Sequence, residues 1–426
     1  MNEFLLFLGI ILNYILIFRV DKYLNTSFIF KLFLLFSLTN WYVIPIIASM
    51  FGYYEFYEYL IDVPLSKYYY YAIFEVWFFT IILFLFYLSS KYKFKRKIEL
   101  TIIDNPNASK YLNPFFILYT IIYLLYCFVY RMDYLEVNQV ENAEGGIFFI
   151  FNAIGLYIFS YYWIKIIKKD SKIFVFSLLL IAYIIYNIIS GSRIFLIALI
   201  WMFYFFNKEK FKSLKYITIT IALFVFSLIM LPVLANIRVG DDNSGITFDK
   251  DVVNVVIEQL NIKSNAIGYS SVLIENDGIG YAGINPYIGS FFKFLPRTIW
   301  TGKPTPTSFN GDITGTPARR VAFLLSGQDG TYNVGVSPGL VCLWHGYFSV
   351  ILSIVINVLF LNFLAFLLSL GSVYMNSLGF LLFYFPQLIM TPSYGDNIIQ
   401  KVFEVLLLFC LLFFFRVIKI TTKELI

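Results

Sequence analysis

The residues best suited to chemistry in this chain are cations at the edges of apolar runs. Arg193 ends the short turn Ser190–Arg193 (SGSR), where Gly191 and Ser192 let the backbone reverse between two hydrophobic stretches. Arg238 follows another stretch, in Ala235–Gly240 (ANIRVG). Arg297 and Lys303 come next, in Pro296–Pro304 (PRTIWTGKP), and then Arg319 and Arg320. A guanidinium at the rim of a low-dielectric region can hold two phosphate oxygens in parallel hydrogen bonds. Several such groups together would bind a diphosphate and stabilise it as a leaving group. Each arginine also has a plainer reading, as an anchor whose stem lies along apolar surface while its head reaches lipid headgroups.

Bases are fewer. His345, in Leu343–Phe348 (LWHGYF), is the only histidine. An imidazole titrates near neutrality, which suits a general base or a hydrogen-bond donor to phosphate, but the same residue could be an interfacial histidine bonded to backbone. Glu75 lies within an apolar run, Ala72–Phe79 (AIFEVWFF), where an acid is unfavourable unless paired or functional. Asp396, after Tyr394 and Gly395, is a second carboxylate candidate. Lys401 and Glu404 have the spacing of a helical pair. Asp249 and Asp251 have the Asp-x-Asp spacing of a divalent-metal site, yet the run VVNVVIEQL that follows favours helix capping. Lys303 lacks the rest of a phosphate-binding loop, and HExxH and Cys/His clusters are missing. We therefore expect no nucleotide, metal or other cofactor, the energy coming from the substrate or a gradient. The three cysteines, Cys127, Cys342 and Cys410, lie in or beside apolar stretches and read as packing residues.

The elements that position these groups are membrane helices. The chain is 60% hydrophobic and 14% charged, against about a quarter charged in soluble proteins. Apolar stretches fall at Phe4–Phe18, Phe28–Met50, Tyr69–Leu88, Pro114–Tyr130, Ile147–Ile167, Ile173–Ser190, Ile194–Phe206, Tyr216–Ala235, Gly346–Leu368, Leu378–Met390 and Val402–Ile418. They predict an all-α polytopic membrane protein of about eleven transmembrane helices with one large extracytoplasmic loop. The first stretch lacks a basic leader and a small-residue cleavage site, so it is read as a retained span. The net charge of +6 concentrates in short loops, which points to membrane orientation and not to nucleic acid. Lys91–Lys97, Ile167–Lys172, Asn207–Lys215 and the Arg416, Lys419 and Lys423 end are basic and fall on one side; Tyr54–Asp62 and Arg131–Gly146 are acidic and fall on the other. The basic side is expected to be cytoplasmic, which puts the large loop outside.

Three regions follow: an N-terminal bundle over 1–236, the loop over 237–338 and C-terminal helices over 339–426. Within the loop, Val252–Ile274 could line one face of a helix. Asn285–Trp300 mixes aromatics with Lys293 and Arg297, as an interfacial element would. Thr301–Arg320 is rich in Pro, Gly and Thr and reads as a loop.

The SGSR turn, the NIRVG run at Asn236–Gly240, PRTIW followed by Lys303 and Pro304, and the polar mouth at Pro338–Gly346 together resemble the O-antigen polymerase family, the repeat-unit polymerases of bacterial surface polysaccharides. The resemblance implies a multi-span, metal-independent glycosyltransferase in the bacterial cytoplasmic membrane. Its substrates would be undecaprenyl-pyrophosphate-linked oligosaccharides at the outer face. His345, Arg193 and Arg238 would be catalytic; Arg297, Lys303, Arg319 and Arg320 would bind the pyrophosphate; Asp396 and Glu75 stand as alternative bases. A chain-length regulator and a flippase would share the membrane. An O-antigen ligase is the nearest alternative. A lipid-linked oligosaccharide flippase is a third, opposed by the long loop and the scarcity of charges within spans.

Overall fold

The computed structural model describes residues 2–20, 65–93, 98–105, 107–129, 266–281, 300–301, 317–326, 336–369 and 395–424, with scattered positions between 34 and 43, 154 and 181, and 374 and 378. These residues are mostly helical. Helix α1 spans Asn2–Val20, α2 Leu65–Lys93 and α3 Ala108–Val129. The polar segment contributes α4 (Ala266–Asp277) and α5 (Pro317–Ser326), and α6 (Pro338–His345) leads out of it. Helices α7 (Tyr347–Ser369) and α8 (Gly395–Phe414) follow. Strands β1 (Ile98–Asp104) and β2 (Ile418–Glu424) form an antiparallel pair.

Among the described residues, three helices are long and apolar enough to cross a membrane: Asn2–Arg19, Lys67–Lys91 and Tyr347–Leu367. They fall on the expected spans at Phe4–Phe18, Tyr69–Leu88 and Gly346–Leu368. Apolar residues on every face make these helices suited to lipid, where backbone groups must bond internally. Helices α3 and α8 carry shorter apolar runs, Lys110–Leu125 and Glu404–Phe414. Of the remaining expected spans, Ile147–Ile167 is described at about half of its positions, all helical, and the others lie largely or wholly outside the described residues.

Helix α2 is the axis of the assembly. At Gly9 of α1 a Cβ would stand 2.6 Å from Val76 Cγ1, so a glycine is what lets α1 approach α2 closely. Asn13 Nδ2 donates to the Val76 carbonyl and Trp77 Nε1 to that of Leu5. Leu6 packs in the cluster of Tyr68 and Ala72, and Ile17 in that of Phe79 and Phe86, so α1 and α2 run parallel. Helix α7 also runs parallel to α2: the α6 residues before it bond Glu75, and Asn362 near its end donates to Ser89 Oγ at 2.8 Å. If all three helices cross a membrane, an odd number of crossings must separate each from the next.

The mostly helical content and the three membrane-length helices are compatible with the expected all-α membrane protein, with one addition and three corrections. Ile98–Asp104 and Ile418–Glu424, rich in Ile and Thr, pair with Ile98 opposite Glu424 and Asp104 opposite Ile418. The last apolar stretch therefore stops being helical at Phe414 and not at Ile418; Arg416, at φ 54°, breaks it. Residues Pro317–Arg320, read as loop, begin α5, with Pro317 at a position where its missing N–H is harmless. Within the stretch predicted to line one helix face, Ala266–Ile274 is buried on every face, because α2, α5 and α6 surround it.

The β pair gathers the C-terminal ends of α2 and α8 and the start of α3. Asn105 locks it, its amide donating to the Val417 carbonyl at 2.9 Å and its side chain to that of Arg416. Lys91, Arg416, Lys419 and Lys423 thus lie toward one end of the molecule, while α4, α5 and α6 pack toward the other.

Candidate functional site

Lys67, Tyr71 and Glu75 are spaced four apart, so they share one face of α2 over its first turns. That face receives the polar segment. Lys67 Nζ and Tyr71 Oη both donate to Glu275, at 2.5 and 2.6 Å, and tie α4 to α2. The Lys67 hydrogen bond, helped by that of Tyr71, holds the Glu275 carboxyl below its ordinary range against the opposing effect of burial.

Glu75 is fully buried, and its two oxygens accept from Gly339 N and Leu340 N, each at 2.9 Å. The local sequence explains this geometry. Pro338 opens α6 and has no N–H; the next two amides have no partner within the helix, and Ser337 at the N-cap gives no side-chain cap bond. A carboxylate from another helix takes that role, favoured by the positive end of the helix dipole. The fit is close, since a Cβ on Gly339 would stand 2.7 Å from Glu75 Oε2 and 3.0 Å from the Phe78 ring. Ser337 N donates in turn to Ser270 Oγ of α4 at 2.6 Å.

The far end of α6 is gripped by the residues that end α4. Gly280 N donates to the Trp344 carbonyl at 3.0 Å, Trp344 Nε1 donates to Asp277 Oδ2 at 3.2 Å, and the Tyr281 ring stacks on the indole at 5.9 Å between centroids. Gly346 separates α6 from α7 with φ 115°, which only glycine adopts without strain. Asp277 also receives Arg320 of α5 through two bonds, Nε to Oδ2 at 3.0 Å and Nη2 to Oδ1 at 2.6 Å. The guanidinium lies over Tyr281 and Phe323 at 5.6 and 5.7 Å from the ring centroids. Asp277 thereby joins Arg320 of α5 to Trp344 of α6, and the His345 imidazole lies next to the indole, 5.3 Å between centroids.

The expected site residues fare differently. His345 is the last residue of α6 and is buried. Arg320 is held by Asp277, and Glu75 is engaged by backbone amides. Arg319 lies beside Arg320 in α5, and Asp396 in the first turn of α8. Arg193, Arg238, Arg297 and Lys303 lie outside the described residues, as do Asp249 and Asp251. Among the described residues no three His, Cys, Asp or Glu side chains form a metal-sized group. Sequence reasoning missed Asp277, Ser270 and the Trp344 contacts. The one available signal was the Asp277-Gly278-Ile279-Gly280 run, which marks a turn and gives no hint of what the turn faces.

No family model, no curated protein and no solved structure matches the chain. The class of protein defined by the described residues is a helical membrane protein with a polar cap folded onto one end of its membrane-length helices.

Proposed function

We propose that the chain is a polysaccharide polymerase that joins lipid-pyrophosphate-linked oligosaccharide repeat units at the outer face of the bacterial cytoplasmic membrane. The observation that carries this reading is the bonding of Arg320 and Trp344 to one carboxylate, Asp277, with His345 next to Trp344, toward one end of α2 and α7. A cation can offset the charge of a departing diphosphate and an imidazole can accept the proton of an attacking hydroxyl, the two functions that glycosyl transfer from a lipid diphosphate calls on. The acceptor hydroxyl attacks the anomeric carbon of the donor, and its proton passes to His345. The anomeric C–O bond breaks, and the departing diphosphate takes the electron pair. Arg320, with Arg193, Arg238, Arg297, Lys303 and Arg319, offsets that charge. Both Glu75 oxygens are occupied by amides, which favours His345 over Glu75 as the base.

The basic positions around the β pair, far from the cap, support a cytoplasmic β-pair end and an external cap. The direct test is purified protein with a lipid-pyrophosphate-linked repeat unit, polymer being the expected product without added metal. Arg193→Ala and Arg238→Ala should each abolish long chains on a gel while the protein stays in the membrane. Normal ladders from both, or topology mapping that puts residues 237–338 inside, would remove this reading.

A further inference from the structure

We propose that Asp277 is the positioning residue of this site: a single carboxylate that aims the Arg320 guanidinium at the substrate diphosphate and, through the Trp344 indole, fixes the end of α6 that carries His345. The inference rests on the functional reading above and gives a role to the carboxylate at the centre of the contacts that reading uses.

Three elements of the polar segment meet on this carboxylate. Asp277 ends α4, Arg320 belongs to α5 and Trp344 to α6. The burial is graded: the Asp277 side chain is 4% exposed and that of Arg320 is 20% exposed. The acid is thus the more deeply buried partner of the pair, and the cation the more accessible one. A two-bond carboxylate contact fixes the plane of a guanidinium, which a single bond does not. Ring contacts with Tyr281 and Phe323 leave it little freedom to swing away. Trp344 is fully buried and is held at its indole N–H, its carbonyl and its ring face, so the next residue, His345, inherits a fixed place. Asp277 touches no reacting atom in this scheme and acts only through Arg320 and Trp344.

The test is binding of undecaprenyl pyrophosphate to the purified full-length chain, measured for wild type, Asp277→Asn, Arg320→Ala and the double variant, with thermal unfolding of each. Loss of a charge-assisted contact predicts an affinity about tenfold weaker for Asp277→Asn, even though the substitution removes a negative charge from beside the anion site. The double variant should bind no more weakly than Arg320→Ala alone. Asp277→Glu, which keeps the charge, should recover part of the affinity. In the polymer assay the Asp277→Asn defect should appear in KM, with a second loss in kcat if Trp344 no longer holds His345 in place. Should Asp277→Asn bind as wild type or tighter, or should the two losses simply add, the positioning role is overturned while the polymerase reading stands. Should wild type itself bind no lipid diphosphate, the functional reading falls, and this inference with it.

Discussion

The two ends of α2 are built on different principles. Toward its C-terminus, α2 packs Phe79, Leu83 and Phe86 into a large apolar cluster with Leu361 and Leu364 of α7, tied by a hydrogen bond between two neutral side chains, Ser89 and Asn362. Toward its N-terminus, a smaller cluster around Ala72, Ile267, Leu340 and Trp344 is threaded by charged groups: Glu75 on two amides, Lys67 on Glu275 and Arg320 on Asp277. The first end is held by shape and can tolerate apolar exchange of similar volume. The second depends on particular donors and acceptors whose loss strands a buried partner. Directional bonds of this kind hold a segment in one pose, and they distinguish the N-terminal end of α2 from the other.

Substitutions at the two ends should separate these principles. Phe86→Ala, at the apolar end, should produce the largest loss of stability, about 3–5 kcal/mol, read as a lower thermal midpoint in detergent. Its polymer yield per folded molecule should stay near wild type; a selective loss of activity would blur the contrast. Glu75→Gln should be less destabilising, about 1–3 kcal/mol, because one of its two amides loses a proper acceptor. Here the activity per folded molecule should fall as well, since α6 loses its anchor. A Glu75→Gln protein with wild-type stability and no activity would instead mark Glu75 as the base.

The smallest effect is expected at the exposed tie between α4 and α2. Lys67 is half-exposed, so Glu275→Gln should cost no more than about 1 kcal/mol. The pH dependence has a definite sign. The folded-state pKa of Glu275 lies below its ordinary value of 4.5, so its contribution is complete above that value and is lost as pH falls through the depressed one. Unfolding midpoints of wild type and Glu275→Gln should therefore differ at neutral pH and converge in acid. A constant gap at all pH values would assign the tie to packing.

Membrane class, the three membrane-length helices and the Gly346 boundary were legible in the sequence, because spanning lipid demands long apolar runs that composition alone reveals. Glu75 stood out as an acid within an apolar run, and His345 as the only histidine in the chain. Their partners did not. Glu75 bonds amides 264 and 265 residues away, and backbone amides leave no mark in a sequence. The β pair escaped notice because each strand is seven residues long and finds its partner more than 300 residues distant. The burial of Ala266–Ile274 on all faces was likewise invisible, since periodicity reports only one-sided burial.

The sequence by itself determined that this chain forms membrane helices with a polar segment between them, since local hydropathy settles how a stretch partitions between water and lipid. Only the tertiary structure decided that Asp277 joins Arg320 to Trp344, and that Glu75 caps a helix. Those outcomes depend on which surfaces meet across hundreds of residues, and directional bonds between distant groups are written in no local pattern.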